Sequence, residues 1–412
     1  MERPPATARH IAIAQLAGAV LVAVIGMIGG VLMQVELAAP GPKWSAQFYT
    51  RLLTFHGLTP LAIGAASLAG GLGYLAICRL VGARRIPAPA LAWVAFAVWV
   101  IGIACWVGAA IFVTTDTGWE LYTPYSLASS GKPLLLYAGP LAIAASAALY
   151  AIHLALVVLA HRGPTLQVAI AAVLVIALGA AGVAGMVAAL EVLQPQYPNT
   201  FTLVFALGLA SLAVSGDRKA SRVVTLIAIA VSLVWAIHPH VVLAFVIAGL
   251  WIALAIMGGF SRPAVAFVVF GCSPAIALHG LASGFLTGST ELYLFDTHFA
   301  VGTYHLQMAL VGFAALAGLH AWSVRRPHSI VAWIGAVVGS AGLFLHVYSS
   351  LVVGGAGMPR RYWDYDPMYT SGHMVSLWGI GVLLAGAVLI AIAWFAASDG
   401  RSVVTVKATG SR

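Results

Sequence analysis

The stretch FDTHFAVGTYHL, residues 295–306, opens a long apolar segment with an acid and places His298 and His305 seven residues apart. On an α-helix this spacing is about two turns, so the two imidazoles share one face. Histidine inside a membrane helix is usually part of a site or a buried hydrogen-bonding group, and it rarely faces lipid. This helix and its histidines are therefore the first candidates for a functional site.

A second stretch, GMPRRYWDYD at residues 357–366, places the adjacent Arg360 and Arg361 in a short polar loop between apolar segments. Guanidinium groups pair well with carboxylates, and histidine is a common axial ligand of haem iron. A membrane helix that offers imidazole near one surface, with paired arginines above it, suits a haem whose propionates meet the arginines. The two stretches together predict a haem site.

Composition indicates an integral membrane protein, with 62% hydrophobic residues, 8% charged residues and a mean hydropathy of +1.00. Apolar runs recur along the whole chain, which predicts one membrane domain over residues 1–412 embedded in the lipid bilayer. The net charge of +9 is interpreted as a topology signal, and nothing indicates nucleic-acid binding. The fold class expected is an all-α membrane protein with about twelve transmembrane helices. The predicted spans are 11–33, 53–80, 89–113, 133–160, 167–192, 200–216, 221–237, 241–259, 263–288, 297–322, 329–353 and 371–397.

Residues 221–259 are the difficult part of this count, because the run is too long for one ordinary span and is interrupted by His238-Pro239-His240. Basic clusters occupy alternate loops, and they alternate consistently only if this His-Pro-His segment is a tight turn on the outer side. The same rule places the N- and C-termini in the cytoplasm, and the expected location is a bacterial inner (cytoplasmic) membrane. Arg360 and Arg361 then form an outside arginine pair, which calls for a functional explanation.

Four stretches resemble subunit I of the haem-copper oxidases, the cytochrome c oxidase family. They are YTRLLTFHGL (49–58), GWELYTPYS (118–126), FDTHFAVGTYH (295–305) and GMPRRYWDYD (357–366). The resemblance implies a subunit I-like helix bundle in which His56 and His305 are the axial ligands of a low-spin b- or a-type haem. It also implies that Trp119 lies beside the propionates of that haem, and that Arg360 and Arg361 pair with them.

The departures from the family pattern concern its catalytic centre. Thr303 stands where the family has the histidine of its second, high-spin haem, and a hydroxyl is a poor ligand for haem iron. VWAIHPH, residues 234–240, can be aligned with either the sixth or the seventh helix of the family, and neither alignment assembles three copper histidines. Arg85 stands where the family's inner proton channel has an acid.

The resemblance therefore implies one haem, leaves copper without a complete ligand set, and makes oxygen reduction by this chain doubtful. The expected function is electron transfer beside another membrane or periplasmic redox subunit, such as a subunit II-like protein or a cytochrome. One alternative is an active terminal oxidase or nitric oxide reductase subunit with an unorthodox metal site. That site would draw on five histidines of the outer half, namely His238, His240, His279, His298 and His346. A further alternative is a cofactor-free transporter or scaffold.

Overall fold

Continuous apolar runs form a bundle of α-helices in the computed structural model. The structure describes residues 4–53, 56, 69–112, 134–161, 165–189, 206–208, 210–213, 219–237, 240–258, 263–288, 294, 296–322, 329–360 and 364–396. The helices are α1 (Ala6–Leu37), α2 (Tyr74–Leu80, after a π-helical turn Ala69–Gly73), α3 (Pro89–Phe112), α4 (Leu134–Ala160), α5 (Thr165–Ala189), α6 (Lys219–Ile237), α7 (Val241–Gly258), α8 (Pro263–Ala266, π-helical Phe267–Cys272, Ser273–Gly288), α9 (His298–Trp322), α10 (Ser329–Gly355) and α11 (Thr370–Phe395).

Eight of the helices in the described part of the chain are long and apolar enough to cross a membrane. They correspond to α1, α3, α4, α5, α8, α9, α10 and α11, and three shorter apolar helices cover Gly71–Leu80, Arg222–Trp235 and Val241–Met257. The prediction of an all-α membrane protein is confirmed. The count of twelve spans stays a prediction, because the expected spans 53–80 and 200–216 lie partly outside the described residues.

The interior and the surface of the bundle are both apolar. Trp235, Trp251 and Tyr74 are among the largest fully buried side chains, whereas Leu159 and Phe395 are more than four-fifths exposed. A soluble monomer rarely exposes apolar side chains along so many of its helices. This surface suits helices that face lipid on one side and protein on the other.

Glycines bring α10 and α11 into backbone contact. A Cβ atom on Gly342 would lie 2.6 Å from the carbonyl oxygen of Gly379 and against the amide nitrogen of Leu383. A Cβ on Gly386 would lie 2.9 Å from the carbonyl oxygen of Gly335. Small residues at helix contacts let backbones approach closely in membranes, where van der Waals packing drives association. This contact fixes the position of α11 against α10.

We predict that Gly386→Val destabilises the protein while Gly381→Val does not. The added side chain at position 386 would meet α10 backbone, which cannot move aside as a flexible side chain would, so overpacking should cost about 1–3 kcal/mol. Gly381 is on the same helix with nothing within 4 Å of the added Cβ. Thermal unfolding of the two variants in detergent measures the difference, and equal unfolding temperatures would contradict the packing described here.

Candidate functional site

The stretches 295–306 and 357–366 are joined by main-chain hydrogen bonds. Thr297 and Pro359 form an isolated antiparallel bridge. The Arg360 N–H donates to the carbonyl of Asp296 at 2.8 Å, and the His298 N–H donates to the carbonyl of Met358 at 3.0 Å. We call this pairing of residues 296–298 with residues 358–360 the clamp. It fixes the start of α9 against the loop that follows α10.

The side chain of Arg360 contacts Asp296, the same residue that its main-chain N–H bonds. Its guanidinium lies 3.0 Å from a carboxylate oxygen of Asp296, and the two side chains are 14% and 85% exposed, respectively. An ion pair with one partner so exposed contributes only about 0–1 kcal/mol to stability. Its main effect is to orient a largely buried guanidinium beside α9. Arg361 and Trp119 lie outside the described residues.

His56 and His305 come together inside the bundle. Their ring centroids are 6.3 Å apart, and their planes make an angle of 44°. A metal–imidazole bond is about 2 Å long and the bonded nitrogen lies about 1 Å from its ring centre, so two imidazoles on one metal ion have centres roughly 6 Å apart. The observed spacing fits a pair of axial ligands on one iron.

The imidazole of His56 is oriented by α1. Its Nδ1 lies 2.9 Å from the carbonyl oxygen of Gly26, which can only accept, so Nδ1 carries the proton and Nε2 keeps its lone pair. A Cβ on Gly30 would lie 2.6 Å from the His56 ring, so only glycine leaves room for the imidazole there. A hydrogen bond from the second ring nitrogen is the usual support of a metal-bound histidine.

His305 has no hydrogen bond to any described residue, and its Nδ1 is buried without a partner. The ring of His346 packs beside it at 4.7 Å in a T-shaped contact. His346 in turn has its Nδ1 2.6 Å from the hydroxyl oxygen of Ser376. Buried polar groups normally have partners, so the ring of His305 is free to bond a cofactor.

Thr303 lies on α9 where the resemblance would place the ligand of a second haem. Its side chain is buried, and its hydroxyl donates to the carbonyl of Phe299 at 3.0 Å, one turn back along the helix. This local bond satisfies the hydroxyl within α9 itself. Nothing at this position offers an iron ligand of the histidine type.

The other candidate histidines are dispersed. His279 is buried with Ser283 3.2 Å from one ring nitrogen and Gln307 2.9 Å from the other. His240 is exposed and accepts from the Val242 N–H, whereas His238 lies outside the described residues. Among described residues, no three His, Cys, Asp or Glu side chains are close enough to hold a metal ion. His56 and His305 are thus brought together, whereas the five-histidine metal site stays a prediction.

Sequence reasoning missed two polar residues near the clamp. Glu36, at the end of α1, is fully buried, and one of its carboxylate oxygens accepts from the Lys43 and Trp44 N–H groups. Tyr365 donates its hydroxyl to the carbonyl of Leu37, and burial raises the pKa of its phenol, which keeps that donor protonated. An acid at the end of an apolar run was the only sequence signal for Glu36.

Comparison with known proteins places the chain in a family. Residues 10–269 match the family model described as cytochrome C and quinol oxidase polypeptide I. The chain belongs to this family. The match contains His56 and ends before α9. For the stretches that contain His305 and Arg360, similarity to the family comes from alignments with individual relatives.

Two such relatives align over most of the chain. The cytochrome c oxidase polypeptide 1 of Halobacterium salinarum is 25% identical over 88% of this chain and 72% of its own length. The cytochrome c oxidase subunit 1 of Bacillus subtilis is 23% identical over 93% of this chain and 73% of its own length. A probable cytochrome c oxidase subunit 1-beta of Nocardia farcinica is 34% identical over 25% of this chain. The chain is therefore a divergent membrane member of a family of respiratory, haem-containing oxidoreductases.

Proposed function

We propose that this chain carries one low-spin haem, of b or a type, held between His56 and His305, and that it transfers electrons within an oxidase-like membrane complex. The observation that carries the proposal is the 6.3 Å separation of the two imidazole centres, which suits two ligands of one iron. The unpartnered ring of His305 and the oriented ring of His56 support it.

Each ligand has a distinct support from the protein. The Gly26 carbonyl holds the proton of His56 on Nδ1, which keeps Nε2 unprotonated and makes it a stronger donor. His346 packs against the ring of His305 and restricts its rotation. A bound haem supplies one-electron chemistry, and two histidine ligands leave no axial position open for oxygen.

Arg360 is placed to meet a propionate. Its guanidinium is 14% exposed and is held at the start of α9 by the clamp. Asp296, its present partner, is 85% exposed, so this carboxylate can turn to water while the arginine takes a propionate instead. Arg361 and Trp119 are proposed to line the same propionate region, as the family resemblance implies.

Electron transfer is favoured over oxygen reduction because the described part of the chain lacks the ligands for the second half of a binuclear centre. Thr303 is bonded to its own helix, and His279 has partners on both ring nitrogens. Electron transfer through one haem requires a partner that supplies electrons and a partner that accepts them. We assign that role to another redox subunit, such as a subunit II-like protein or a cytochrome, in a bacterial inner membrane with both termini of this chain cytoplasmic.

Two other functions make different predictions for the purified protein. A terminal oxidase or nitric oxide reductase subunit would contain haem together with copper or another catalytic metal. A transporter or scaffold would contain neither. Pyridine haemochrome analysis with metal analysis separates the three, and we expect one haem per chain from the low-spin site.

We predict that His56→Ala and His305→Ala each abolish the low-spin visible spectrum, because either change removes one axial ligand. His320→Ala is the matched control, since His320 is also buried on α9 and donates to the carbonyl of Leu316 at its own end of the helix. Visible spectra of the oxidised and reduced proteins make the comparison. An unaltered spectrum in His305→Ala would refute the haem assignment.

We predict that Arg360→Ala lowers the haem midpoint potential while haem is retained. A nearby positive charge stabilises the reduced iron, so its removal disfavours reduction. Arg85→Ala serves as the control because Arg85 is exposed in the turn between α2 and α3. Spectroelectrochemical titration measures both potentials, and equal values for Arg360→Ala and the unaltered protein would contradict propionate pairing.

We predict no shift of the reduced spectrum when carbon monoxide is added. Carbon monoxide binds five-coordinate reduced haem, whereas a haem with two histidine ligands has no open position. The His305→Ala variant, where it retains haem, is the positive control because it should gain a carbon monoxide band. A clear band in the unaltered protein, with oxygen consumption, would favour the terminal-oxidase alternative.

A further inference from the structure

Three soft or borderline donor side chains meet beside the clamp, at a place the proposed haem ligands do not use. Nε2 of His373, in the first turn of α11, lies 2.8 Å from the sulfur of Met358, the residue before the bridging Pro359. The ring of His298, the first residue of α9, packs on His373 with ring centroids 5.3 Å apart. Three separate segments thus bring two imidazoles and one thioether together.

These side chains are shielded from water. Met358 is 0% exposed, His373 is 3% exposed and His298 is 9% exposed. The imidazole of His298 has no hydrogen bond to any described residue, although its main chain is bonded through the clamp. A ligand bound between the three side chains would give the ring of His298 a bonding partner.

The backbones that carry the donors are held from both sides. The His298 N–H donates to the Met358 carbonyl at 3.0 Å, and the Met358 N–H donates to Val353 at 3.2 Å. The side-chain amide of Gln34 on α1 donates to the carbonyl of His373 at 3.0 Å. Such fixed backbones hold donor groups in position before a ligand arrives, which reduces the entropy lost on binding.

Apolar side chains surround the thioether. Met358 forms a small buried cluster with Leu37 and Val353, and Tyr365 and Tyr369 pack against this cluster. The ring of Tyr365 also covers His373, with ring centroids 4.7 Å apart. The surroundings therefore disfavour a highly charged ion that would retain water molecules, and they favour an ion of low charge.

We propose that His298, Met358 and His373 form a binding site for Cu(I). Imidazole and thioether are ligands that Cu(I) accepts readily, and all three are neutral here, so the site carries only the single charge of the ion. Zn²⁺ favours four ligands that often include thiolate or carboxylate. Within the described residues no third His, Cys, Asp or Glu joins the two histidines.

Binding requires a change of tautomer at His373 and a small separation of its Nε2 from the Met358 sulfur, so that the ion can enter between them. Nε2 of His373 faces the Met358 sulfur, which can only accept a hydrogen bond, so in the metal-free protein this nitrogen carries the proton and donates the bond. When the metal bonds to Nε2, the proton moves to Nδ1 and the ring stays neutral. Neither an oxidant nor a reductant is needed. The site lies about two helical turns, roughly 10 Å, from His305 along α9, and it shares no ligand with the proposed haem.

The test is an anaerobic titration of the purified full-length protein with Cu(I), in competition with a chromogenic Cu(I) chelator. We expect one Cu(I) per chain, with affinity reduced at least tenfold in Met358→Leu and in His373→Gln. Leucine preserves the volume and the apolar character of residue 358, so the packing survives while the sulfur is lost. Met374→Leu is the matched control, because Met374 is adjacent to His373 and 39% exposed.

Wild-type affinity in Met358→Leu would overturn the proposal, as would the absence of competitive Cu(I) binding by the unaltered protein. X-ray absorption at the copper edge of the loaded protein gives a test that needs no variant. We expect both nitrogen and sulfur neighbours, and copper without a sulfur neighbour would overturn the proposal. His56→Ala should bind Cu(I) as the unaltered protein does, and loss of binding there would place the copper at the haem ligands instead and refute this site.

Discussion

The main-chain clamp between residues 296–298 and 358–360 is the interaction on which the polar end of the bundle depends. Backbone N–H and C=O groups away from water must find partners, and here two segments far apart in sequence satisfy each other. The consequence is geometric. The clamp fixes the main chain of both segments relative to each other. The side chains of His298, Met358 and Arg360 therefore extend from backbone atoms whose relative positions are fixed.

A second constraint acts deeper in the bundle. The glycines of α10 and α11 let these helices touch through their backbones, and a Cβ on Gly379 would lie 2.5 Å from the amide nitrogen of His346. Close backbone contact leaves little freedom for sliding, since small shifts would create clashes. This contact fixes the position of Ser376 along the bundle axis, where its hydroxyl bonds His346. The position of His346 in turn determines where its ring contacts His305. The clamp positions His298, and the glycine contact positions His346 against His305.

The helices were predictable because long apolar runs dominate this chain. The expected spans 89–113 and 371–397 agree with Pro89–Phe112 and Thr370–Phe395 to within two residues at each end. The pairing of His56 with His305 was predictable through the family resemblance, which carries tertiary information that spacing alone lacks. The contact of Met358 with His373 was not, because a buried methionine looks like any other apolar residue. Asp296 is visible in the sequence as an acid. Its ion pair with Arg360 was not predictable, because it depends on how the loop after α10 folds against the start of α9.

The separation of His56 and His305 in sequence also sets an order for biosynthesis. In the proposed haem site, one ligand would leave the ribosome early, and the other only after most of the helices have been made. A nascent chain that stops before α9 contains only His56 of this pair and cannot form the clamp, so under the proposed ligation it would offer haem neither a second ligand nor Arg360. If His56 and His305 hold the haem as proposed, insertion of the later helices must precede stable capture of the cofactor. α1 is made before His56, and its Gly26 carbonyl is the group that orients the ring of His56 in the folded protein.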